Sequence, residues 1–257
     1  LIQHKAYEAQ KHQLGLPPQG VNDALVLERP LRILINNEAL SITMQTPGDE
    51  LDLVRGLLYC EDIYRALTPE PNMELELAEN GIVDQVRITI PADQLGQGYA
   101  NAQQLLSVAS CGICGRTEFT GRQGHLIHSA QIDREQIQIW FEELKLGQSL
   151  FALTGGCHGA ALYSKNGERI ALREDIGRHN AVDKVIGAAL RKGELKDAQM
   201  ILVSGRISYE IVSKCFMAGI PVLAAVSAPS SLAVDFAKEL GITLIAFCRD
   251  HRMTVYS

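Results

Sequence analysis

Residues 180–247 read as three helix-then-strand repeats, and this rhythm constrains the fold more than any other feature of the chain. Helical periodicity over 180–191, 207–218 and 231–240 stops at Gly193, Gly219 and Gly241, where a helix C-terminus favours a left-handed residue. The apolar runs 200–203, 221–226 and 242–247 have the length and composition of buried strands. Upstream, Asp133 caps a predicted helix with Ile137, Trp140, Phe141 and Leu144 on one face. Runs 160–163 and 169–172 flank Lys165, Asn166 and Gly167 as a hairpin. Helix, hairpin and then αβ repeats predict an α/β sandwich with a mixed sheet. Ligands on such sheets favour the loops at the carboxyl ends of strands.

The N-terminal part is different. Residues 1–22 are polar and end in Pro17, Pro18 and Gly20, the composition of a flexible arm. Residues 23–100 are expected to form a small α+β subdomain. Alternating runs 31–35 and 39–44 meet at Asn36 and Asn37, and 73–78 and 83–90 meet at Asn80 and Gly81, so two hairpins are predicted. Between them a helix opens at Glu50, with Leu51, Leu53, Val54, Leu57 and Leu58 forming one apolar face. The remaining 101–257 form the main domain. The stretch 91–129 has no clear period and holds Gly96, Gly98, Gly112, Gly115, Gly121 and Gly124. A long glycine-rich stretch inside a folded chain is functional or disordered.

Lys and Arg number 24 against 30 Asp and Glu, a net charge of −6. A general nucleic-acid binder needs a basic excess or stripe, so the charge argues against that class, whereas it leaves room for a small anionic ligand held by local arginines. The longest apolar runs are strand-length, too short to span a membrane, and residues 1–22 lack a basic-then-apolar leader. Six cysteines in 257 residues do not make a disulfide scaffold. The expected location is the cytoplasm.

Only Cys111 and Cys114 are paired by sequence, as Cys-Gly-Ile-Cys. The thiolate is the reactive form, and this spacing lets one sulfur influence or resolve the other. Half of a zinc site is one reading, which needs further ligands from elsewhere in the chain. A thioredoxin-like dithiol is another, but it should follow a strand and open a helix, and here glycines follow instead. A mobile nucleophilic thiol carrying a group between sites fits the glycine-rich setting better. Two incidental cysteines are the remaining alternative.

Three loops carry arginine at predicted strand or helix ends. Arg178 and His179 stand where a helix starts, Arg206 follows a buried strand beside Gly205, and Arg249, His251 and Arg252 follow the last strand. Such placements suit phosphate groups, although the spacing is not that of a P-loop. A glycine-rich turn at 154–160 could bring backbone, Thr154 and His158 close to the same ligand.

Taken together, the motifs SCGICG, TGGxH, EDIGRHNAVDK, LVSGRISYEIVSK, PVLAAVSAPSSLAVDFA and FxRxxRMTVY resemble the formate dehydrogenase accessory sulfurtransferase family (FdhD). The resemblance runs from about Glu28 to the C-terminus. It implies a cytidine deaminase-like main domain and a sulfurtransferase working through a cysteine persulfide. Sulfur would pass from a cysteine desulfurase to the molybdenum or tungsten bis(molybdopterin guanine dinucleotide) cofactor, handled as substrate, for apo formate dehydrogenase. GDP would mimic one end of that cofactor. No structural metal, nucleic acid or membrane partner is implied, and a homodimer is compatible. Cys111 matches the persulfide cysteine and Cys114 its companion. Phe247, Cys248, Arg249, Asp250, His251 and Arg252 match a cofactor-binding segment, with Arg206 as a further contact; His251 stands where the family often has glycine. The chain has no H-x-E and no proline before Cys111, so it lacks a zinc deaminase site despite the fold. A dithiol oxidoreductase, or a non-catalytic chaperone that binds cofactor and apo-enzyme, are the alternative functions.

Overall fold

In the computed structural model, which describes residues 2–102, 125–126 and 133–257, the predicted elements are joined by several that sequence pattern does not show. The expected N-terminal arm is a hairpin of β1 (His4–Lys11) and β2 (Gln19–Val26), paired antiparallel from His4 opposite Val26 to Lys11 opposite Gln19. It therefore runs through residue 22, the boundary expected from composition. Every residue of β1 is exposed, so no buried face imposes an alternation that a sequence reading could detect.

Next come β3 (Arg29–Ile35), β4 (Glu38–Gln45), α1 (Glu50–Cys60), β5 (Asn72–Leu77) and β6 (Val83–Thr89). Both predicted hairpins form. Asn36 and Asn37 take φ of 52° and 70°, the left-handed values a tight turn requires. β3 and β6 then pair in parallel, giving a four-stranded sheet in the order β4-β3-β6-β5. Its inner face, with Leu31, Ile33, Val86 and Ile88, packs on Leu53, Val54 and Leu58 of α1.

The chain continues through α2 (Gln97–Ala102), α3 (Arg134–Gly147), α4 (Ser149–Thr154), β7 (His158–Ser164), β8 (Arg169–Asp175), α5 (Arg178–Lys192), β9 (Ala198–Val203), α6 (Tyr209–Ala218), β10 (Val222–Ala225), α7 (Ser231–Leu240), β11 (Thr243–Arg249) and β12 (Arg252–Val255). Asp133 caps α3 as expected, accepting from Glu135 N and Gln136 N at 3.0 and 3.2 Å. The six-stranded sheet has the order β12-β11-β10-β9-β7-β8. It is mixed: β9, β10 and β11 run parallel, while β7 and β12 run against their neighbours. Alternate residues of its inner strands serve two cores, as the period of a strand dictates. Leu162, Ile201, Leu223 and Leu244 meet α5, α6 and α7. Ala161, Met200, Val222 and Ile245 meet Ile137, Trp140, Phe141 and Leu144 of α3. The α/β class and the mixed sheet are as expected.

α1 is buried on two sides, where sequence periodicity gives it one apolar face. Its second side meets α5 through glycine. A Cβ on Gly56 would stand 1.9 Å from Asp183 O, and one on Gly187 would stand 1.8 Å from Asp52 O. Asp52, 4% exposed, accepts from Arg173 of β8 at 2.8 Å and from Arg191 of α5 at 2.7 Å. The four-stranded unit is thus locked to the main domain by backbone contact and two ion pairs. Gly187→Ala should force the helices apart and cost about 1–3 kcal/mol, read as a lower urea midpoint. An unchanged midpoint would show that the helices can part at no cost.

Candidate functional site

β8, β9, β10 and β11 point the same way, so their carboxyl ends open on one edge of the sheet. The loops there are tied together. Val226 N donates to Val203 O at 3.2 Å, Ile207 N to Ala228 O at 3.1 Å, Ser230 N to Ile207 O at 2.9 Å, and Phe247 N to Ser227 O at 3.2 Å. The loop bearing Arg206 and the C-terminal turn therefore flank a shared middle loop. They stand two strand spacings apart, about 10 Å.

The C-terminal segment is a tight turn between β11 and β12, a strand absent from the sequence reading. Asp250 and His251 take φ of 53° and 56°, and Arg249 pairs directly with Arg252 across the turn. Directly opposed residues place their side chains on one face, and like charges there repel. Two exposed guanidiniums held in this way are relieved by a shared anion. Arg252 has a weak local counterion in Asp250, at 3.7 Å. His251 Nδ1 lies 3.3 Å from Gln138 Oε1 of α3. Phe247, half-buried with φ of 56°, lies at the bulge that re-aims the strand end. Cys248 departs from the expected segment. It is 6% exposed, its side chain lies in the α3-side core, and burial pushes the thiol up to about 11.

A second group of side chains converges beside β9. Ser204 Oγ accepts from Gly159 N at 2.9 Å, and Ser204 N donates back to Gly159 O at 2.9 Å, joining the 154–160 turn to the Arg206 loop. A Cβ on Gly205 would stand 3.2 Å from His158 Nδ1 and 3.5 Å from Arg178 Cβ, so the missing side chain lets both approach the loop. Arg206 is exposed. Arg178 Nε is buried with no hydrogen-bond partner among the described residues. Helix α5 begins at Arg178, two residues before the predicted start, so Asn180 lies inside it and Gly177 takes the cap position. His179 Nε2 lies 3.2 Å from Ser208 Oγ and 3.9 Å from Glu210 Oε2. Burial, then the charges of Arg178 and Lys214, lower its pKa to about 4. Thr154 is a structural residue: its hydroxyl donates to Leu150 O at 2.8 Å.

Several motif residues hold this edge in place and were missed as such in the sequence. Asp175 and Lys184 form a fully buried ion pair at 2.8 Å. Asp175 also accepts from Thr46 N, Gly177 N and Asn180 Nδ2, and Lys184 donates to Thr46 O. A loop of the four-stranded unit is thereby fastened to the start of α5. Lys214 of α6 pairs with Asp183 at 2.8 Å and Glu61 at 3.0 Å. The carboxylate of Glu174 accepts from Leu150 N, Phe151 N and Cys157 Sγ, capping α4 from a strand. The signal was present: Asp183 and Lys184 interrupt an apolar helix at positions that face the core, where charges occur only when paired.

Cys111 and Cys114 lie outside the described residues. Of the other four cysteines, all are buried and free, and burial raises every thiol above its ordinary value. For Cys157 the hydrogen bond to Glu174 adds to the effect. Among the described residues, no three His, Cys, Asp or Glu side chains cluster as metal ligands.

A model of the FdhD/NarQ family matches residues 26–257, nearly the whole chain. The chain belongs to the FdhD/NarQ family. The Sulfur carrier protein FdhD of Nocardia farcinica is 40% identical over 97% of this chain and 92% of its own. That of Sulfolobus acidocaldarius is 41% identical over 91% and 89%. A crystal structure from Desulfotalea psychrophila, ascribed to the formate dehydrogenase accessory proteins, superimposes with a TM-score of 0.76 at 23% identity. It covers 100% of this chain and 97% of that one. The two proteins therefore share the same α/β fold. The family match begins at residue 26, so it takes in both sheets and the arginine edge but leaves out nearly all of the N-terminal hairpin.

Proposed function

We propose that this chain is a sulfur carrier: Cys111 receives sulfur from a cysteine desulfurase and hands it to the bis(molybdopterin guanine dinucleotide) cofactor of formate dehydrogenase. The observation that carries the assignment to the Cys111–Cys114 pair is the state of the other thiols, and the family resemblance picks Cys111 within it. Cys60, Cys157, Cys215 and Cys248 are buried and held protonated, and a protonated thiol is a poor nucleophile. In the loading step the Cys111 thiolate attacks the outer sulfur of the desulfurase persulfide. The old S–S bond breaks, the desulfurase cysteine leaves as a thiolate, and Cys111 becomes the persulfide. Cys114 is the companion thiol, placed by spacing to resolve or tune that sulfur. The work is cytoplasmic, where thiols stay reduced. In keeping with that, no helix among the described residues is long and apolar enough to cross a membrane. The test is intact mass after incubation with a desulfurase and cysteine. One reductant-labile sulfur on a Cys111 peptide is expected, and label confined to Cys157 or Cys248 would overturn the reading.

The cofactor's phosphates are assigned to the guanidiniums of Arg206, Arg249 and Arg252, while Phe247, Asp250 and His251 complete the cofactor-binding segment and Cys248 contributes backbone only. Support comes from the opposed Arg249–Arg252 pair and from the position of both loops on one edge. Arg252→Ala should weaken GDP binding about tenfold, the worth of one charge-assisted hydrogen bond. Arg252→Lys should recover part, since it keeps charge but not the planar fork. Lys165, exposed at the β7–β8 turn on the opposite edge, supplies the control. Equal GDP affinity for Arg252→Ala and Lys165→Ala, measured by calorimetry, would remove the turn from the site.

A further inference from the structure

His158 stands at the start of β7 with charged groups around it. Across the ladder it pairs with Asp175 of β8, a Cβ on Gly205 would stand 3.2 Å from its Nδ1 and 3.5 Å from Arg178 Cβ, and Arg206 follows Gly205 in the β9 loop. Asp175 is already committed to Lys184, to two backbone N–H groups and to Asn180. Glu174, the other neighbouring carboxylate of β8, is taken by the α4 N-H groups and the Cys157 thiol. The charge of Asp175 also acts on the ring and raises its pKa, but that carboxylate's hydrogen bonds go elsewhere, and the ring makes no hydrogen bond among the described residues. Burial first, and then Arg178 and Arg206, lower its pKa below the ordinary histidine value. His179 differs. Its ring is engaged with Ser208 and close to Glu210, with Lys214 and Glu61 beyond.

A diphosphate diester carries two fixed negative charges. Seated by Arg178 and Arg206, beside the unpartnered Arg178 Nε, it would offset the two positive charges that add to burial in disfavouring the protonated ring, and would offer that ring an acceptor. We infer that His158 is a ligand-binding residue of this edge and takes up a proton when a diphosphate diester binds. The inference rests on the reading of the edge as a phosphate site and adds a proton to it. The neutral ring does not repel the neighbouring arginines, and it becomes a charged donor only when the anion is present.

The sign follows from linkage. The complex holds more protons than the free protein, so affinity rises as pH falls and levels off once the ring is charged in both states. GDP-mannose is the probe, because its diphosphate diester does not titrate in the working range, whereas the terminal phosphate of GDP does. Calorimetry in buffers of unlike ionisation enthalpy should show net proton uptake near neutral pH. Affinity should rise roughly five- to tenfold between about pH 7.5 and about pH 5.5. Both effects should vanish in His158→Gln and persist in His4→Gln, on the exposed strand β1. The His158 ring resonance should titrate at a higher pH in the presence of GDP-mannose than without it, a measurement that needs no variant. Binding without proton uptake would overturn this inference alone. Uptake that survives His158→Gln would do the same. A wild-type protein that binds no GDP-mannose at any pH would overturn the phosphate reading, and this inference with it.

Discussion

Cys111→Ala should abolish sulfur loading and reduce formate dehydrogenase maturation to background, while Cys215→Ala should leave both intact. The contrast is expected because the described thiols are not interchangeable with a reactive one. Cys215 is 0% exposed in the core between α5, α6 and the sheet, and burial pushes its thiol up. Cys157 donates to the Glu174 carboxylate, an arrangement that opposes loss of its proton. None of the described cysteines is able to take over when Cys111 is replaced. Cys114→Ala sorts the remaining classes. A dithiol oxidoreductase loses everything with either cysteine, a cofactor-binding chaperone loses nothing with either, and a persulfide carrier still loads sulfur when only Cys114 is replaced. Mass analysis of each variant after desulfurase treatment, with maturation assayed in cells lacking the wild-type protein, reads all three outcomes.

Lys184→Met should destabilise the fold by about 3–5 kcal/mol, the cost of leaving one partner of a buried ion pair uncompensated. Both members are 0% exposed, and Lys184 also donates to Thr46 O. Asp175 would keep its backbone donors but lose its only ion-pair partner among the described residues, and the start of α5, from Gly177 to Asn180, would loosen. Such a loss is a large part of the 5–15 kcal/mol that holds a typical domain folded. Urea unfolding measures it, and the double variant with Asp175→Asn should recover part of the loss, because the stranded charge is then removed. A cost below about 1 kcal/mol for Lys184→Met would show that the pair does not hold the four-stranded unit to α5. The same variant should weaken binding of GDP-mannose, since Arg178 begins the helix that the pair secures.

The two predictions draw on different parts of the chain's legibility. The order of elements from residue 133 onward, the two N-terminal hairpins and the α/β class could be read directly, because periodicity, caps and turn residues are local signals. The C-terminal strand β12 could not. Its four residues carry no buried alternation, and it is a strand because β11 offers an edge. The same holds for β1 and β2, which expose nearly all their side chains. The arginine loops could be named from their places at element ends. That they share one edge depends on strand order and direction, which no local pattern encodes.

The motif residues divide along the same line. In the run from Glu174 to Lys184, sequence alone brings a glycine, an arginine and a histidine to a helix start. Only the folded chain assigns Asp175, Asp183 and Lys184 to buried ion pairs, Glu174 to the cap of α4, and His158 to a place beside Gly205 and Arg178. Family, fold class and the cysteine pair were determined by the sequence itself, through residue order and spacing. Which charges are structural and which remain open to a ligand was decided by tertiary structure, because burial and pairing depend on groups as far apart in the chain as Thr46 and Lys184.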